Sequence, residues 1–267
     1  MIANFRMYEV APSAARAWRA LFERVFAEEG LDLAIVEHRA PAPIAELWAR
    51  EDLGCAFMCG WPFVRSGRMR PIAAPVPSPA RYGHQPHYCS EFLVRESSGW
   101  SRLEQSFGHR FGWMSPDSQS GFNAPRAHLA RFVTAERPAL FSEVRGPLGS
   151  PMATLEALRR GEVDAIALDG FWLDLLRRHD PPKLEGMRCV ATTPWTPMPL
   201  LVAAPRADDG MVARLREALP CIHERPGHAA LLADVLLERF VAPDEASYSQ
   251  LEAMAREAEA AGYSAIR

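Results

Sequence analysis

Apolar residues recur along this chain in two patterns, that of a helix face and that of short buried strands. Residues 13–29 have the helical spacing, and Gly30 follows them as a stop signal. Short strands are predicted at 31–36 and 53–59, with a helical stretch at 44–50 between them. Because strands that alternate with helices are joined by crossover connections, this pattern predicts a parallel sheet. The helical face of the first segment consists of Trp18, Leu21, Phe22, Val25 and Phe26.

A second α/β pattern follows a proline-rich stretch. Five prolines lie within residues 71–86, which predicts a long connection rather than a helix or a central strand. The second pattern therefore belongs to a separate α/β unit. Its predicted strands are 89–95, 110–114 and 163–168, and its predicted helices are 122–133 and 152–160.

The chain then passes through a second proline-rich stretch at 193–199. A strand is predicted at 200–204, and three helical patterns occupy residues 211–261. Two such connections around a central α/β unit predict one lobe inserted into another, and a cleft between lobes is a common place for a ligand. The first lobe is predicted to comprise 1–85 and 200–267, and the second 86–199.

Composition narrows the function classes. The chain has 267 residues, 48% of them hydrophobic and 24% charged, which predicts a folded protein. A net charge of −3 without a basic stripe argues against nucleic acid as a partner. The longest apolar runs are too short to span a bilayer, so a soluble protein without membrane insertion is predicted. The N-terminus has no recognisable export signal, which leaves a cytoplasmic location open.

The chemistry-bearing residues indicate neither a metal site nor a cofactor. Five cysteines, most of them in apolar runs, suit reduced buried thiols better than disulfides. Cys55 and Cys59 do not have zinc-ligand spacing, and His84 and His87 have no evident third ligand. Lys183 is the single lysine and thus the single candidate for a Schiff base. No nucleophile elbow or P-loop is present, so an enzyme is not predicted.

The segment 117–123, Asp-Ser-Gln-Ser-Gly-Phe-Asn, lies between a predicted strand and a predicted helix. Exposed N–H groups at a helix start, aided by hydroxyl side chains, are suited to hold an anion. Gly121 allows a close approach of the backbone, whereas Pro125 predicts a short or irregular first turn. The alternative is a simple capping sequence in which Asp or Ser precedes a helix.

A second candidate is the strand predicted within 161–169, which ends at Asp169. Open α/β sheets bind ligands at the carboxyl ends of their strands, where a carboxylate can accept a hydrogen bond from a protonated ligand oxygen. The alternative role of Asp169 is to cap the helix that follows it.

These segments resemble the phosphate, phosphite and phosphonate substrate-binding components of ABC importers. The resemblance extends over nearly the whole chain. It implies an α/β fold that is two-lobed and periplasmic-binding-protein-like (type 2), with a ligand cleft between the lobes and two crossover connections. It rests on 88–95 as the strand entering the second lobe, 117–121 as an oxyanion turn, 161–169 as a ligand-facing strand and 200–204 as a return strand.

The resemblance implies a binding role for several residues. Hydroxyl and amide donors of the oxyanion turn would contact the ligand, Asp169 would accept from the opposite side, and tyrosines would line the cleft. Trp61 is either a wall of the site or a core residue. Gln119 and Pro151 stand where many relatives have threonine and histidine. The predicted ligand-binding residues are Tyr8, Trp61, Tyr88, Ser118, Gln119, Ser120, Asn123 and Asp169.

The implied partners are a small anionic ligand and an ABC permease, and the implied compartment is the periplasm. A helical pattern at Leu251, Met254, Ala255 and Ala258 is expected to pack within its own lobe, so the chain is predicted to be a monomer. Two other functions stay open on the same fold, a cytoplasmic ligand sensor and a biosynthetic enzyme.

Overall fold

The computed structural model describes residues 1–267, which form two compact units. Unit 1 comprises Met1–His87, Asp174–Asp180 and Pro197–Ala246. Unit 2 comprises Tyr88–Leu173, Pro181–Thr196 and Ser247–Arg267. The chain therefore passes from one unit to the other after residues 87, 173, 180, 196 and 246, whereas the sequence predicted two crossings.

The regular elements alternate between strands and helices along most of the chain. The strands are β1 (Ile2–Asn4), β2 (Ala34–Ile35), β3 (Leu53–Met58), β4 (Arg70–Pro77), β5 (His87–Tyr88), β6 (Ser90–Arg95), β7 (Arg110–Gly112), β8 (Glu143–Arg145), β9 (Ala165–Asp169), β10 (Met187–Thr192), β11 (Thr196–Pro197), β12 (Leu200–Ala203) and β13 (Leu237–Val241). The α-helices are α1 (Pro12–Glu28), α2 (Ile44–Trp48), α3 (Gly60–Ser66), α4 (Ala124–Ala130), α5 (Pro151–Arg159), α6 (Gly170–His179), α7 (Asp209–Ala218), α8 (His228–Asp234) and α9 (Ser249–Ala260).

Unit 1 contains a six-stranded sheet in the order β13-β4-β12-β3-β1-β2. The pairs β1–β2 and β1–β3 are parallel, whereas β12 is antiparallel to both β3 and β4, and β13 is antiparallel to β4. The strands before residue 87 thus all run in one direction, and the two strands of the returning chain run in the other. The predicted parallel pairing is correct for β1, β2 and β3, which helices connect, and wrong for β4, whose two neighbours are both antiparallel.

The prediction of a long connection at 71–86 was wrong for its first half, which is the internal strand β4. This strand pairs with β12 through Arg70–Ala73 and with β13 through Ala74–Pro77, and both pairings contain an irregularity. Proline lacks an N–H group and normally disfavours a central strand. β4 pairs with a different strand along each half, and both pairings are irregular. Its backbone hydrogen bonding is therefore already interrupted where the prolines lack an N–H donor.

Unit 2 contains a five-stranded sheet in the order β10-β6-β9-β7-β8. Its central strands β6, β9 and β7 correspond to the three strands predicted from the sequence. β7 is parallel to β8 and β9, and β6 is antiparallel to β9 and β10. The two edge strands were not predicted from the sequence, and neither contains a buried residue.

The C-terminal residues Ser247–Arg267 belong to unit 2 and not to the predicted first lobe. Leu251, Ala255 and Ala258 of the predicted helical face are buried, and Met254 is half-buried. The end of the chain is also fixed in unit 2, because the N–H group of Leu140 donates to the carbonyl oxygen of Arg267 at 2.7 Å. An amphipathic pattern shows that a helix packs on one face but not which lobe receives that face.

Residues Asp174–Asp180 were predicted within the second lobe but belong to unit 1. The hydroxyl of Tyr82 donates to Oδ2 of Asp174 at 2.6 Å, and Nδ1 of His179 lies 3.1 Å from the hydroxyl of Ser13. These contacts join residues that are 92 and 166 positions apart in the sequence. No local pattern could have indicated them.

All five cysteines are free. Cys55 and Cys89 are buried, and burial raises the pKa of the Cys55 thiol. Cys59 is half-buried, whereas Cys189 and Cys221 are exposed, so the expectation of buried thiols was wrong for these two. None of the helices is both long enough and apolar enough to cross a membrane.

Candidate functional site

Ser118 caps the turn that follows β7. Its Oγ accepts a hydrogen bond from the N–H group of Gly121 at 2.8 Å, and its carbonyl oxygen accepts from the N–H group of Asn123 at 3.0 Å. The turn Gln119–Asn123 is a π-helical turn that continues directly into α4. Pro125, near the start of α4, has no N–H group, which agrees with the irregular first turn predicted from the sequence.

Capping leaves several donors of this turn unused. The N–H groups of Gln119 and Ser120 lie at the first two helical positions, where no intrahelical acceptor exists, and no other group of the protein accepts from them. The hydroxyl of Ser120 makes no hydrogen bond within the protein, and its oxygen is not sealed from solvent. Ser118 Oγ accepts from Gly121 and can still donate its own hydrogen. Capping and anion binding are therefore compatible roles for this turn.

Gly121 is required for the close packing of the turn. A Cβ atom at this position would lie 2.7 Å from Cβ of Met114 and 3.0 Å from Oγ of Ser118. The N–H group of Met114 also donates to the carbonyl oxygen of Gly121 at 3.3 Å, which ties the turn to the segment that follows β7. The expectation that Gly121 permits a close backbone approach thus has a direct geometric basis.

The predicted ligand contacts from Gln119 and Asn123 do not match where their side chains lie. Both residues are fully buried. Nδ2 of Asn123 donates to Oε1 of Gln119 at 2.9 Å and to the carbonyl oxygen of Leu251 at 3.0 Å. Nε2 of Gln119 faces the sulfur of Met254 at 3.8 Å. The two amides are engaged inside unit 2, and the donors that Gln119 can offer a ligand are those of its backbone.

Asp169 ends β9 and caps α6. Its Oδ1 accepts hydrogen bonds from the N–H groups of Phe171 at 2.7 Å and Trp172 at 3.0 Å. The capping role that the sequence left open is therefore present. The carboxylate is buried, with 7% of the residue exposed.

Sheet register brings Asp169 and the Ser118 turn to one edge of unit 2. β7 and β9 are parallel neighbours, with Phe111 opposite Ala165, so their carboxyl ends meet at the same edge. β6 runs antiparallel to β9, with Ser90 opposite Asp169, so the start of β6 lies at that edge too. Tyr88, which precedes β6 and is buried, thus lies near the same edge. In open α/β sheets such edges are where ligands bind.

Tyr8 and Trp61 belong to unit 1. Tyr8 is fully buried, and its ring centroid lies 6.1 Å from that of Trp18 and 5.1 Å from that of Phe57. Trp61 is half-buried at the start of α3, with the guanidinium of Arg65 5.4 Å from its ring centroid. The interpretation of Trp61 as a core residue was wrong. Contact of either side chain with a ligand stays a prediction.

Sequence reasoning missed Arg126, a buried cation in α4 that bonds to the turn residue Asn123. It is 4% exposed, and burial lowers the pKa of its guanidinium. Nη2 donates to Oδ1 of Asn123 at 3.2 Å, and Nη1 donates to the carbonyl oxygen of Ser264 at 2.7 Å. An arginine on a helical segment usually faces solvent, so nothing in the local pattern indicated its burial.

Comparison with known proteins identifies a family for this chain. A family model described as the periplasmic phosphonate substrate-binding protein of ABC transporters matches residues 8–248. A comparison with curated proteins gave no significant sequence match.

Solved structures with the same fold share little sequence with this chain. The binding component of a Pseudomonas aeruginosa ABC phosphonate transporter is 17% identical over 98% of this chain and 87% of its own, with a TM-score of 0.80. PhnD1 of Prochlorococcus marinus, solved in complex with methylphosphonate, is 17% identical over 97% and 98%, with a TM-score of 0.77. XAC2383 of Xanthomonas citri, solved bound to ATP, is 18% identical over 98% of both chains, with a TM-score of 0.65. These structures establish a two-lobed periplasmic-binding-protein fold.

Proposed function

Because this chain belongs to the phosphonate-binding family of periplasmic ABC-transporter substrate-binding proteins, we propose that it binds a small phosphorus oxyanion at the turn Gln119–Asn123. The observation that carries the proposal is the set of unused donors at this turn, namely the N–H groups of Gln119 and Ser120 and the hydroxyl of Ser120. Such donors at a helix start match the oxygens of a tetrahedral anion.

The chemistry of the turn suits an anion held by neutral donors. Backbone N–H groups and hydroxyls stabilise negative charge without a counter-cation at the contact, and the helix dipole adds to the effect. Asp169, at the same sheet edge, supports a ligand that carries a proton or an amino group, because a carboxylate repels a fully ionised oxygen. The complex of PhnD1 with methylphosphonate makes phosphonates the first ligands to test.

A titration of the purified protein tests the proposal directly. Methylphosphonate, aminoethylphosphonate, phosphite and phosphate are compared with sulfate, a carboxylate and ATP by isothermal titration calorimetry. We expect binding of phosphorus oxyanions and weaker binding of the other anions. Binding of ATP alone, the ligand found in XAC2383, would instead indicate a nucleotide-binding protein.

The site assignment is tested with substitutions in unit 2. Ser120→Ala removes the unused hydroxyl, and Asp169→Asn removes the charge while keeping an acceptor for the cap of α6. Each is expected to weaken binding by about tenfold or more, equivalent to about 1.4 kcal/mol. Ser142→Ala, at an exposed position of the same unit, is the matched control. Unchanged affinity in both site variants would contradict the assignment.

The family consists of transport proteins, and we propose that this chain releases its ligand unchanged. Phosphorus NMR of methylphosphonate incubated with the protein should show one constant signal, whereas a new signal would favour the enzyme hypothesis. A permease and an ATPase encoded beside this chain would support transport, and a kinase would support sensing. Light scattering tests the predicted monomer. We also propose that the two lobes close on the ligand, as in other two-lobed binders, and small-angle X-ray scattering with and without ligand tests this.

A further inference from the structure

The C-terminal segment of the chain is tied to the anion-binding turn by one buried side chain. Asn123 uses both hydrogens of its amide, one toward Oε1 of Gln119 at 2.9 Å and one toward the carbonyl oxygen of Leu251 at 3.0 Å. Its Oδ1 accepts from Arg126 at 3.2 Å. The residue is fully buried, so water cannot replace any of these partners.

Arg126 extends the connection beyond the end of α9. Its Nη1 donates to the carbonyl oxygen of Ser264 at 2.7 Å. Leu251 lies near the start of α9 and Ser264 lies after its end, so the contacts hold the helix at both ends. Met254, between them, contacts Nε2 of Gln119 through its sulfur at 3.8 Å.

Asparagine supplies the two donors and the one acceptor that these contacts use at position 123. An aspartate would keep the bond from Arg126 but lose both donors, and a leucine of similar size would lose every polar contact. Either change leaves buried partners without a hydrogen bond, and this destabilises the folded state because their lost hydration is not replaced. The amide groups of Asn123 and Gln119 are thus consumed in holding the turn.

We infer that Asn123 is a positioning residue for the anion, and that through it the segment Ser247–Arg267 sets the affinity of the turn. This inference rests on the proposed function, because it concerns the same turn. The N–H groups that face the anion belong to Gln119 and Ser120, and the side chain of Gln119 is one of the groups that Asn123 holds. If the side chain of Gln119 is no longer held, the backbone N–H groups of Gln119 and Ser120 become more mobile. The anion then binds more weakly, because these donors must be ordered when it binds.

The test compares two variants of the network with a control in the same C-terminal segment. Asn123→Leu removes all three hydrogen bonds. Gln119→Met is a milder change that removes the acceptor Oε1 and the contact of Nε2 with Met254. The control is Tyr263→Phe, since the Tyr263 hydroxyl bonds only to Arg267, donating to its carbonyl oxygen at 2.9 Å and accepting from its N–H group at 3.0 Å. Unfolding by urea gives the stability of each variant.

Two readouts are recorded on the full chain. The first is methylphosphonate affinity by calorimetry, for which we expect a loss of about tenfold in Asn123→Leu, a smaller loss in Gln119→Met and none in Tyr263→Phe. The second is amide hydrogen exchange without ligand at Gly121 and at position 123, whose N–H groups donate to Ser118. We expect faster exchange there in the two network variants only.

The outcomes separate this inference from the proposed function. Wild-type affinity and wild-type exchange in both network variants would overturn the inference. Equal losses in Tyr263→Phe would also overturn it, because the effect would then reflect the general stability of the segment. If the wild-type protein binds no phosphorus oxyanion, the proposed function fails, and amide exchange alone decides whether Asn123 holds the turn.

Discussion

Asp164 holds Arg110 through two parallel side-chain hydrogen bonds, from Nε to Oδ2 at 2.8 Å and from Nη2 to Oδ1 at 2.9 Å. The same carboxylate accepts from Nη2 of Arg95 at 2.7 Å. The hydrogen bonds from Arg110, followed by that from Arg95, hold the pKa of Asp164 well below its usual range. Three strands of unit 2 are thereby joined, since Arg95 ends β6, Arg110 begins β7 and Asp164 immediately precedes β9.

Asp164→Asn should reduce the free energy of unfolding by about 1–3 kcal/mol at neutral pH, because charge-assisted hydrogen bonds among half-buried groups are lost. The native pKa is depressed, so the stabilisation is fully present above the ordinary aspartate pKa of about 4 and is lost as the pH falls below it. Urea denaturation at neutral and acidic pH measures both effects. Glu143→Gln, which breaks an exposed pair with Arg145, should change stability by less than about 0.5 kcal/mol.

His128 should make the protein less stable in mildly acidic solution. Burial, and then the nearby Arg131, lower the pKa of its imidazole from 6.5 to about 4, against a small opposing effect of Glu104. Between these pH values His128 is protonated in the unfolded chain but neutral in the folded chain. The free energy of unfolding therefore falls as the pH is lowered through this window. At about 1.4 kcal/mol per pKa unit, the effect amounts to about 3 kcal/mol.

Replacement of His128 by phenylalanine should flatten this pH dependence. The ring lies 5.2 Å from that of Phe92, between centroids, so an aromatic side chain retains the packing. Thermal or urea unfolding across the window measures the slope. His109→Phe, at an exposed position in the same unit, should leave the slope as in the wild type. An unchanged slope in His128→Phe would contradict the assignment.

Gly121→Ala should destabilise unit 2 and weaken anion binding together. The added methyl group would meet Met114 at 2.7 Å and the capping hydroxyl of Ser118 at 3.0 Å, so the turn must shift. Overpacking of this kind costs about 1–3 kcal/mol. The matched control is Gly210→Ala in α7, where the nearest atom, Oδ1 of Asp208, is 3.4 Å away and alanine favours the helix. Urea unfolding and calorimetry of both variants check the contrast.

Asp169 should show two separable contributions. Asp169→Ala removes the cap of α6 and should lower the free energy of unfolding by about 0.5–2 kcal/mol, whereas Asp169→Asn retains an acceptor and should change it little. Both variants should lose anion affinity if the charge contacts the ligand. Stability and affinity that fall only in Asp169→Ala would show that Asp169 acts as a cap alone.

Several elements could be predicted from the sequence because the patterns that indicate them involve only neighbouring residues. The helix predicted at 13–29 is α1, and the strand predicted at 53–59 is β3. The serine-rich turn was located correctly, since its glycine and hydroxyls act on groups within a few residues. The strand β4 was missed because its prolines are tolerated only through partners distant in the chain, near 200 and 240.

By itself, the sequence determined an α/β protein with a serine- and glycine-containing turn before α4 and a carboxylate at the end of β9, because periodicity and capping depend on neighbouring residues. Only the tertiary structure decided that α9 packs in unit 2 and that the amides of Gln119 and Asn123 turn inward. The partner of Asn123 is 128 residues away at Leu251. Such a pairing is set by how the whole unit packs, and no local pattern contains it.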